Sequence, residues 1–414
     1  FNCSSRTTPQ LATMTTNGHV SSSIEHTVKR QKLAPSDPLD GIDPVKNNWD
    51  SPGPAAFDFR SDVVTTPTPS MLTSIAQTTL LDDVFVEDPT TLSLEARTAE
   101  LTGHEAALLV LSGTMGNQLS LRSHLLAPPH SVLTDYRGHI LEWEAGGVAS
   151  LCGALVKGIR PRNEHHITLE DVEENAVISD DVHACPTKVI SLENTLGGTI
   201  LPLEECQRIS AWAKERGILM HLDGARLWEA CAAGAGSLEE YCACFDSVSL
   251  CFSKGLGAPI GSIIVGKAPF IKRARWIRKS IGGGLRQAGV VAAPARVALE
   301  ETFLGGKLSA THENARQIGK FWEQLGGKLA LPVETNMVWL DLDDASVAKK
   351  DFVTAAEKLG LRVLKGRLVV HYQIGNEAIA KLEILMRELL NGDGVDDVEG
   401  SVKIDPMDTQ ITVE

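Results

Sequence analysis

The stretch Ser247-Val248-Ser249-Leu250-Cys251-Phe252-Ser253-Lys254-Gly255-Leu256-Gly257-Ala258-Pro259 reads as an apolar strand that stops at a single lysine and a glycine-rich loop. A short apolar run bounded by turn residues is the pattern of a strand buried on both faces of a sheet. A charged amine at the end of such a strand costs free energy unless it is neutralised or used covalently, and a desolvated lysine is what a Schiff base requires. The alternatives are a lysine that snorkels to the surface or one that binds phosphate. The same grammar recurs upstream. Leu219–Leu222 runs into His221-Leu222-Asp223-Gly224-Ala225-Arg226, which places an acid at the carboxyl edge of a strand, where α/β sheets bind ligands. That acid could also cap the next helix or pair with Arg226. Further upstream, Ala106–Leu111 leads into Ser112-Gly113-Thr114-Met115-Gly116 and then a helical pattern. Such a junction is either a phosphate seat at a helix N-terminus or an ordinary βα turn, and it fits neither the Walker nor the dinucleotide spacing.

Around these three junctions, short β-branched runs alternate with amphipathic stretches, which calls for a mostly parallel sheet covered by helices. Strands are expected at Ala106–Leu111, Val189–Leu192, Leu219–Leu222, Ser247–Phe252 and Gly261–Val265, and helices at Leu92–Leu101, Gly116–His124, Leu203–Arg216 and Lys272–Ser280. Beyond residue 303 the character shifts to a long helix near His312–Leu325, strands near Met337–Leu342 and Leu361–Tyr372, and a helix near Phe352–Leu359. The expected organisation is a disordered arm over 1–56, a large α/β domain over 57–302, a small α+β domain over 303–392 and an acidic tail over 393–414. The run Ser51-Pro52-Gly53-Pro54 is taken to close the arm, because neither helix nor strand tolerates it.

Composition narrows the function classes. The 414 residues carry 39 Lys and Arg against 53 Asp and Glu, a net charge of −14, which argues against a nucleic-acid binder. No run approaches the ~18 apolar residues of a spanning helix. The eight cysteines show no C-x-x-C spacing and sit in apolar surroundings, so reduced thiols and a cytoplasmic location are expected, with no metal site.

A lysine and an acid at strand ends, with a phosphate seat upstream, are the three parts needed to hold pyridoxal 5′-phosphate: the lysine on its aldehyde, the acid on its pyridine nitrogen. At this point the chain resembles the low-specificity L-threonine aldolases of the fold-type I pyridoxal-phosphate enzymes, in the fungal type of the beta-eliminating lyase and threonine aldolase group. The resemblance runs from about Phe57 to Leu390 through Asp58-Phe59-Arg60-Ser61-Asp62, Asp82-Asp83-Val84 with Glu87-Asp88-Pro89-Thr90, Ser112-Gly113-Thr114-Met115-Gly116-Asn117-Gln118, His139 with Glu144-Ala145-Gly146-Gly147, Leu192-Glu193-Asn194-Thr195, and Gly282-Gly283-Gly284-Leu285-Arg286-Gln287-Ala288-Gly289. It implies an aspartate aminotransferase-like large domain on a mostly parallel seven-stranded sheet and a small C-terminal α+β domain.

It also implies roles. Lys254 forms the Schiff base, Asp223 holds the pyridine nitrogen, and His139 stacks on the ring and serves as acid or base, where without its motif it would read as a core histidine. Ser112, Gly113 and Thr114 bind phosphate together with Arg286 from a neighbouring subunit. Ser61, Arg226 and Arg367 hold the substrate carboxylate, and Arg226 also lies in the cofactor set. The implied reaction is retro-aldol cleavage of L-threonine, L-allo-threonine and related β-hydroxy-α-amino acids to glycine and acetaldehyde, in a homodimer or homotetramer with shared active sites. Many bacterial relatives carry a second histidine where this chain has Leu196. The alternative on the same scaffold is an alanine racemase, followed by a β-eliminating lyase. A non-catalytic scaffold is also open, although Lys254 and Asp223 are both retained.

Overall fold

The computed structural model describes residues 48–391. Seven strands form one sheet: β1 (Ala106–Val110), β2 (Ser131–Asp135), β3 (Leu155–Ile159), β4 (Thr187–Glu193), β5 (Leu219–Gly224), β6 (Ser247–Cys251) and β7 (Ser262–Gly266). Their spatial order is β1-β7-β6-β5-β4-β2-β3. Neighbours from β6 through β5, β4 and β2 to β3 are parallel, while β7 runs antiparallel to both β6 and β1. The carboxyl ends of β1, β2, β4, β5 and β6 therefore share one edge. β6 and β7 are buried throughout because helices cover both faces of the sheet.

A second, three-stranded antiparallel sheet comprises β8 (Leu329–Leu331), β9 (Met337–Leu340) and β10 (Arg367–Val369) in the order β10-β9-β8. Helices Lys307–Gln324, Lys349–Lys358 and Asn376–Asn391 contribute Ile318, Trp322, Phe352, Leu382 and Leu385 to the core on this sheet.

The first residues of the motif region differ from expectation. Phe59 is fully buried in this second core, not against the large sheet. It exchanges backbone hydrogen bonds with the later chain, donating to Arg362 O at 2.8 Å and accepting from Val369 N–H at 2.8 Å. This lacing carries Ser61 and Asp62 to the edge of the large sheet. The run taken to close the arm is also ordered: Gly53–Phe57 forms a 3-10 turn with Ala55 buried, since proline is well suited to a first helical turn. The rest of the expected arm, residues 1–47, and the tail over 393–414 lie outside the described residues. Seven described cysteines are free thiols, and no described helix is long and apolar enough to cross a membrane.

Candidate active site

Three strand ends converge at the shared edge. Glu193 closes β4 and lies in register beside Asp223 of β5. Lys254 follows β6 on a pinned loop: its carbonyl accepts Thr65 Oγ1 at 2.9 Å and Gly257 N–H at 2.9 Å, and Trp228 Nε1 donates to Cys251 O at 2.9 Å just before it. Gly255 packs so tightly that a Cβ there would lie 2.5 Å from Glu229 Oε1. Among the described residues Lys254 Nζ has no hydrogen bond or ion pair, although its charge reaches Asp62, Glu193 and Cys251. An unpaired amine in a partly buried loop is available for covalent use.

Asp223 is buried with both oxygens held by donors, Oδ1 by Ala225 N–H at 3.1 Å and Oδ2 by Asn117 Nδ2 at 2.7 Å. The same amide donates to Glu144 Oε1 at 2.8 Å. His139 Nδ1 lies 2.9 Å from that oxygen, and its backbone N–H donates to Glu193 Oε2 at 2.8 Å. The Glu144 bond raises His139 above its ordinary pKa against the opposing effect of burial, with Asp223 and Glu193 adding to the rise. Burial and the neighbouring Asp223 push the Glu193 carboxyl up to about 8. Ligand atoms of His139, Glu144 and Asp223 lie within 4.8 Å of one another, yet the Asn117 amide already bridges the two acids.

Helix Gly113–His124 begins at Ser112, whose hydroxyl accepts Met115 N–H at 3.1 Å. The N–H groups of Gly113 and Thr114 have no acceptor among the described residues, which is the free pair an anion needs at a helix start. Gly113 is required there, since a Cβ would lie 2.7 Å from Cys251 Sγ.

On the other side, Asp62 grips Arg226 in a two-point pair, Nε to Oδ2 at 2.8 Å and Nη2 to Oδ1 at 2.6 Å. Ser61 is the residue before it, and its hydroxyl accepts Val63 N–H at 3.4 Å. Arg367 Nη2 donates to Arg60 O at 2.8 Å while its buried Nε has no partner. Burial and the nearby Arg226 charge lower the Arg367 pKa. Two guanidiniums in mutual repulsion, one with an unused donor, form a ready receptor for a carboxylate.

Of the expected residues, Ser112, Gly113, Thr114, His139, Asp223 and Lys254 gather at the sheet edge, and Ser61, Arg226 and Arg367 group through Asp62 and Arg60. Arg286 stands apart. It is 55 % exposed, ion-paired to Asp82 at 2.8 Å and 6.0 Å from the Phe85 ring centroid. Asp62, Asn117, Glu144, Glu193 and His221 lie inside the quoted segments but carry no assigned role from sequence. Glu193 and Asp62 carried a usable signal, as acids at a strand end and beside the expected Ser61.

A family profile described as beta-eliminating lyase matches residues 58–345. The chain belongs to the beta-eliminating lyase family. It is 57 % identical over 376 residues to aldolase vrtJ of Penicillium aethiopicum, covering 91 % of this chain and 97 % of that protein. It is 41 % identical over 392 residues to alanine racemase TOXG of Cochliobolus carbonum, covering 93 % and 98 %. It is 45 % identical over 337 residues to the low-specificity L-threonine aldolase of Candida albicans, covering 80 % and 90 %. The threonine aldolase structure from Leishmania major superposes with a TM-score of 0.68 at 21 % identity, covering 80 % of this chain and 99 % of that one. This beta-eliminating lyase chain thus has the fold-type I α/β architecture, and its family and fold imply pyridoxal phosphate. The donor set fits that group: an unpaired lysine amine, a buried acid fixed as an acceptor, and free N–H groups at a helix start.

Proposed function

We propose that the protein cleaves L-threonine, L-allo-threonine and related β-hydroxy-α-amino acids to glycine and acetaldehyde. The observation that carries this reading is the gathering of Lys254, Asp223 and His139 at one sheet edge, with the Asp62–Arg226 pair beside the Lys254 loop and Arg367 within reach of Arg226's charge. Pyridoxal phosphate, when bound, supplies an electron sink for the pair released at Cα. Lys254 would hold its aldehyde carbon, Asp223 its pyridine nitrogen, and Ser112, Gly113 and Thr114 its phosphate. Arg226 and Arg367, with Ser61, would bind the substrate carboxylate and so fix which Cα bond is aligned for cleavage. His139, with Nδ1–H committed to Glu144, presents Nε2 to take the β-hydroxyl proton. As the hydroxyl oxygen becomes a carbonyl, the Cα–Cβ pair stays on Cα, acetaldehyde departs, and Cα is reprotonated to give glycine.

The 41 % identity to an alanine racemase supports a second reading, amino-acid racemisation on the same scaffold. Leu196 is compatible with it; its side chain lines a small pocket with Glu193, His165 and His166. Proton NMR in D₂O separates the two. Glycine and acetaldehyde are expected from L-threonine; if threonine survives while L-alanine exchanges its α-proton and D-alanine accumulates, the racemase reading replaces the aldolase.

The working form is a cytoplasmic homo-oligomer, dimer or tetramer, with sites shared between copies and a small amino acid, not nucleic acid, as its partner. Exposed apolar side chains beside the site segments support the sharing of sites between copies: Trp143 between His139 and Glu144, and Phe85 next to Arg286, are 73 % and 69 % exposed. Arg286 would reach the phosphate of a second copy. A charge-assisted bond contributes about 1.5–3 kcal/mol, so Arg286→Ala should weaken pyridoxal-phosphate affinity roughly ten- to a hundredfold. The KM for threonine should move less, and an unchanged cofactor affinity would remove Arg286 from the phosphate site.

A further inference from the structure

Beneath the site, buried polar side chains run from Asp223 back across the sheet. Asn117 Oδ1 lies 3.1 Å from His221 Nε2, His221 Nδ1 lies 2.9 Å from Ser247 Oγ, and Ser247 Oγ lies 2.7 Å from His124 Nε2. The His124 ring stacks on Phe270 at 4.6 Å. Asn117, His221 and Ser247 are at most 1 % exposed, so no water competes for these bonds.

Valence fixes the direction of every bond in the string. Asn117 Nδ2 faces two carboxylates, which in ionised form only accept, so the amide nitrogen must be on that side and Oδ1 must accept from His221. His221 therefore carries its hydrogen on Nε2. Burial, with His124 close by, pushes His221 down to about 3, so its ring is neutral and Nδ1 offers a lone pair. Ser247 must donate its hydroxyl hydrogen to that lone pair, which leaves its oxygen to accept Nε2–H of His124. Burial lowers His124 to about 4, which keeps this ring neutral as well. All the donors point toward Asp223 and Glu144. Gln118 Nε2 also donates to Glu144, so this carboxylate is an acceptor on both oxygens.

We infer that Asn117, oriented by His221, Ser247 and His124, is a positioning residue that fixes two groups at once: Asp223 as an acceptor at the place proposed for the pyridine nitrogen, and His139 in its Nδ1–H tautomer through Glu144. One amide thereby ties the cofactor-holding acid to the acid–base histidine. This rests on the proposed role of Asp223 at pyridoxal phosphate, but the string itself is testable without the cofactor.

Histidine-ring ¹⁵N NMR of the full chain, with pyridoxal phosphate bound and after its removal, reads the tautomers directly, with signals assigned by their loss in His221→Gln and His124→Gln. Neutral Nε2–H rings that do not titrate between about pH 5 and 9 are expected for both. An Nδ1–H tautomer at His221, or titration inside that window, would overturn the inference. In Asn117→Leu, pyridoxal-phosphate affinity should fall at least about tenfold and the His139 ring should lose its fixed tautomer, as expected when a buried charged acceptor loses its donor. Ser123→Ala, which removes a buried hydroxyl from the same helix, should lower the melting temperature without either change. A folded Asn117→Leu with normal affinity and an unchanged His139 tautomer refutes the positioning role. Should that variant not fold, the ring nitrogens of the unaltered chain decide. A chain with the expected tautomers that fails to bind pyridoxal phosphate would sink the functional reading and leave the string standing.

Discussion

Lys254→Ala is expected to abolish the visible absorbance of bound pyridoxal phosphate and to cut turnover by at least about three orders of magnitude, the scale on which removing a covalent nucleophile acts. The same change should leave the melting temperature nearly unaltered. Lys254 Nζ makes no hydrogen bond or ion pair among the described residues, and the loop is held by its backbone through Thr65 and Gly257, so truncation removes no structural contact of the ammonium. A residue that contributes little to stability and everything to function is the signature of a reactive group. Absorbance spectroscopy with a coupled acetaldehyde assay checks both halves. Normal colour together with retained turnover would remove Lys254 from the chemistry, and loss of both with a collapsed melting temperature would make it structural.

What could be read from the chain depended on whether burial was written into adjacent residues. Ser247–Cys251 and Leu219–Gly224 were visible because they are apolar runs, one leading into Lys254 just beyond its end and one ending on Asp223, and the charge marks the ligand edge. β2 was missed although it is buried throughout, since Ser131–Asp135 holds only two apolar residues among five. β3 was missed because it lies at the sheet edge, with Leu155 57 % exposed, so its pattern is not that of a core strand. The antiparallel turn of β7 could not be read either, as pairing direction leaves no trace in a run of Ile and Val. The site divided in the same way. Lys254 and Asp223 announce themselves through the cost of burying a charge, whereas Asn117, although inside the quoted Ser112–Gln118 segment, is a neutral amide on a helix whose burial carries no such mark. Only the fold brings it to partners 27 and 106 positions away. The segment around Phe59 taught a related lesson: its aromatic side chain signalled a core, but which core depended on backbone pairing with residues some 300 positions later.

Asp62→Ala is expected to cost about 3–5 kcal/mol, the penalty for leaving a buried partner charge uncompensated. The Asp62 side chain is fully buried, Arg226 is 15 % exposed, and burial together with the nearby Arg226 charge lowers the Arg367 pKa. Burial alone would push the Asp62 carboxyl up, but Arg226, joined by the charges of Lys254 and His371, brings it down to about 2 from 3.8. Since the folded value is depressed, the pair's contribution is present in full above about pH 4 and is lost as pH falls from 3.8 toward 2. The shift corresponds to about 2–3 kcal/mol. That is less than the truncation cost because a protonated carboxyl still fills the site and can hydrogen-bond, whereas alanine leaves the buried Arg226 without its carboxylate partner and with the Arg367 charge nearby. Denaturant titrations of both proteins from pH 2 to 7 test this. The variant should be weaker at pH 7, and the gap should shrink as the acid limb of the native protein descends. Equal stability at pH 7, or a gap that does not change with pH, would mean that the pair is not held as described. Because the same bidentate grip aims Arg226, the variant should also show a raised KM for threonine under conditions where it remains folded, as expected if Asp62 serves substrate capture by holding a guanidinium that burial and Arg367 would otherwise displace.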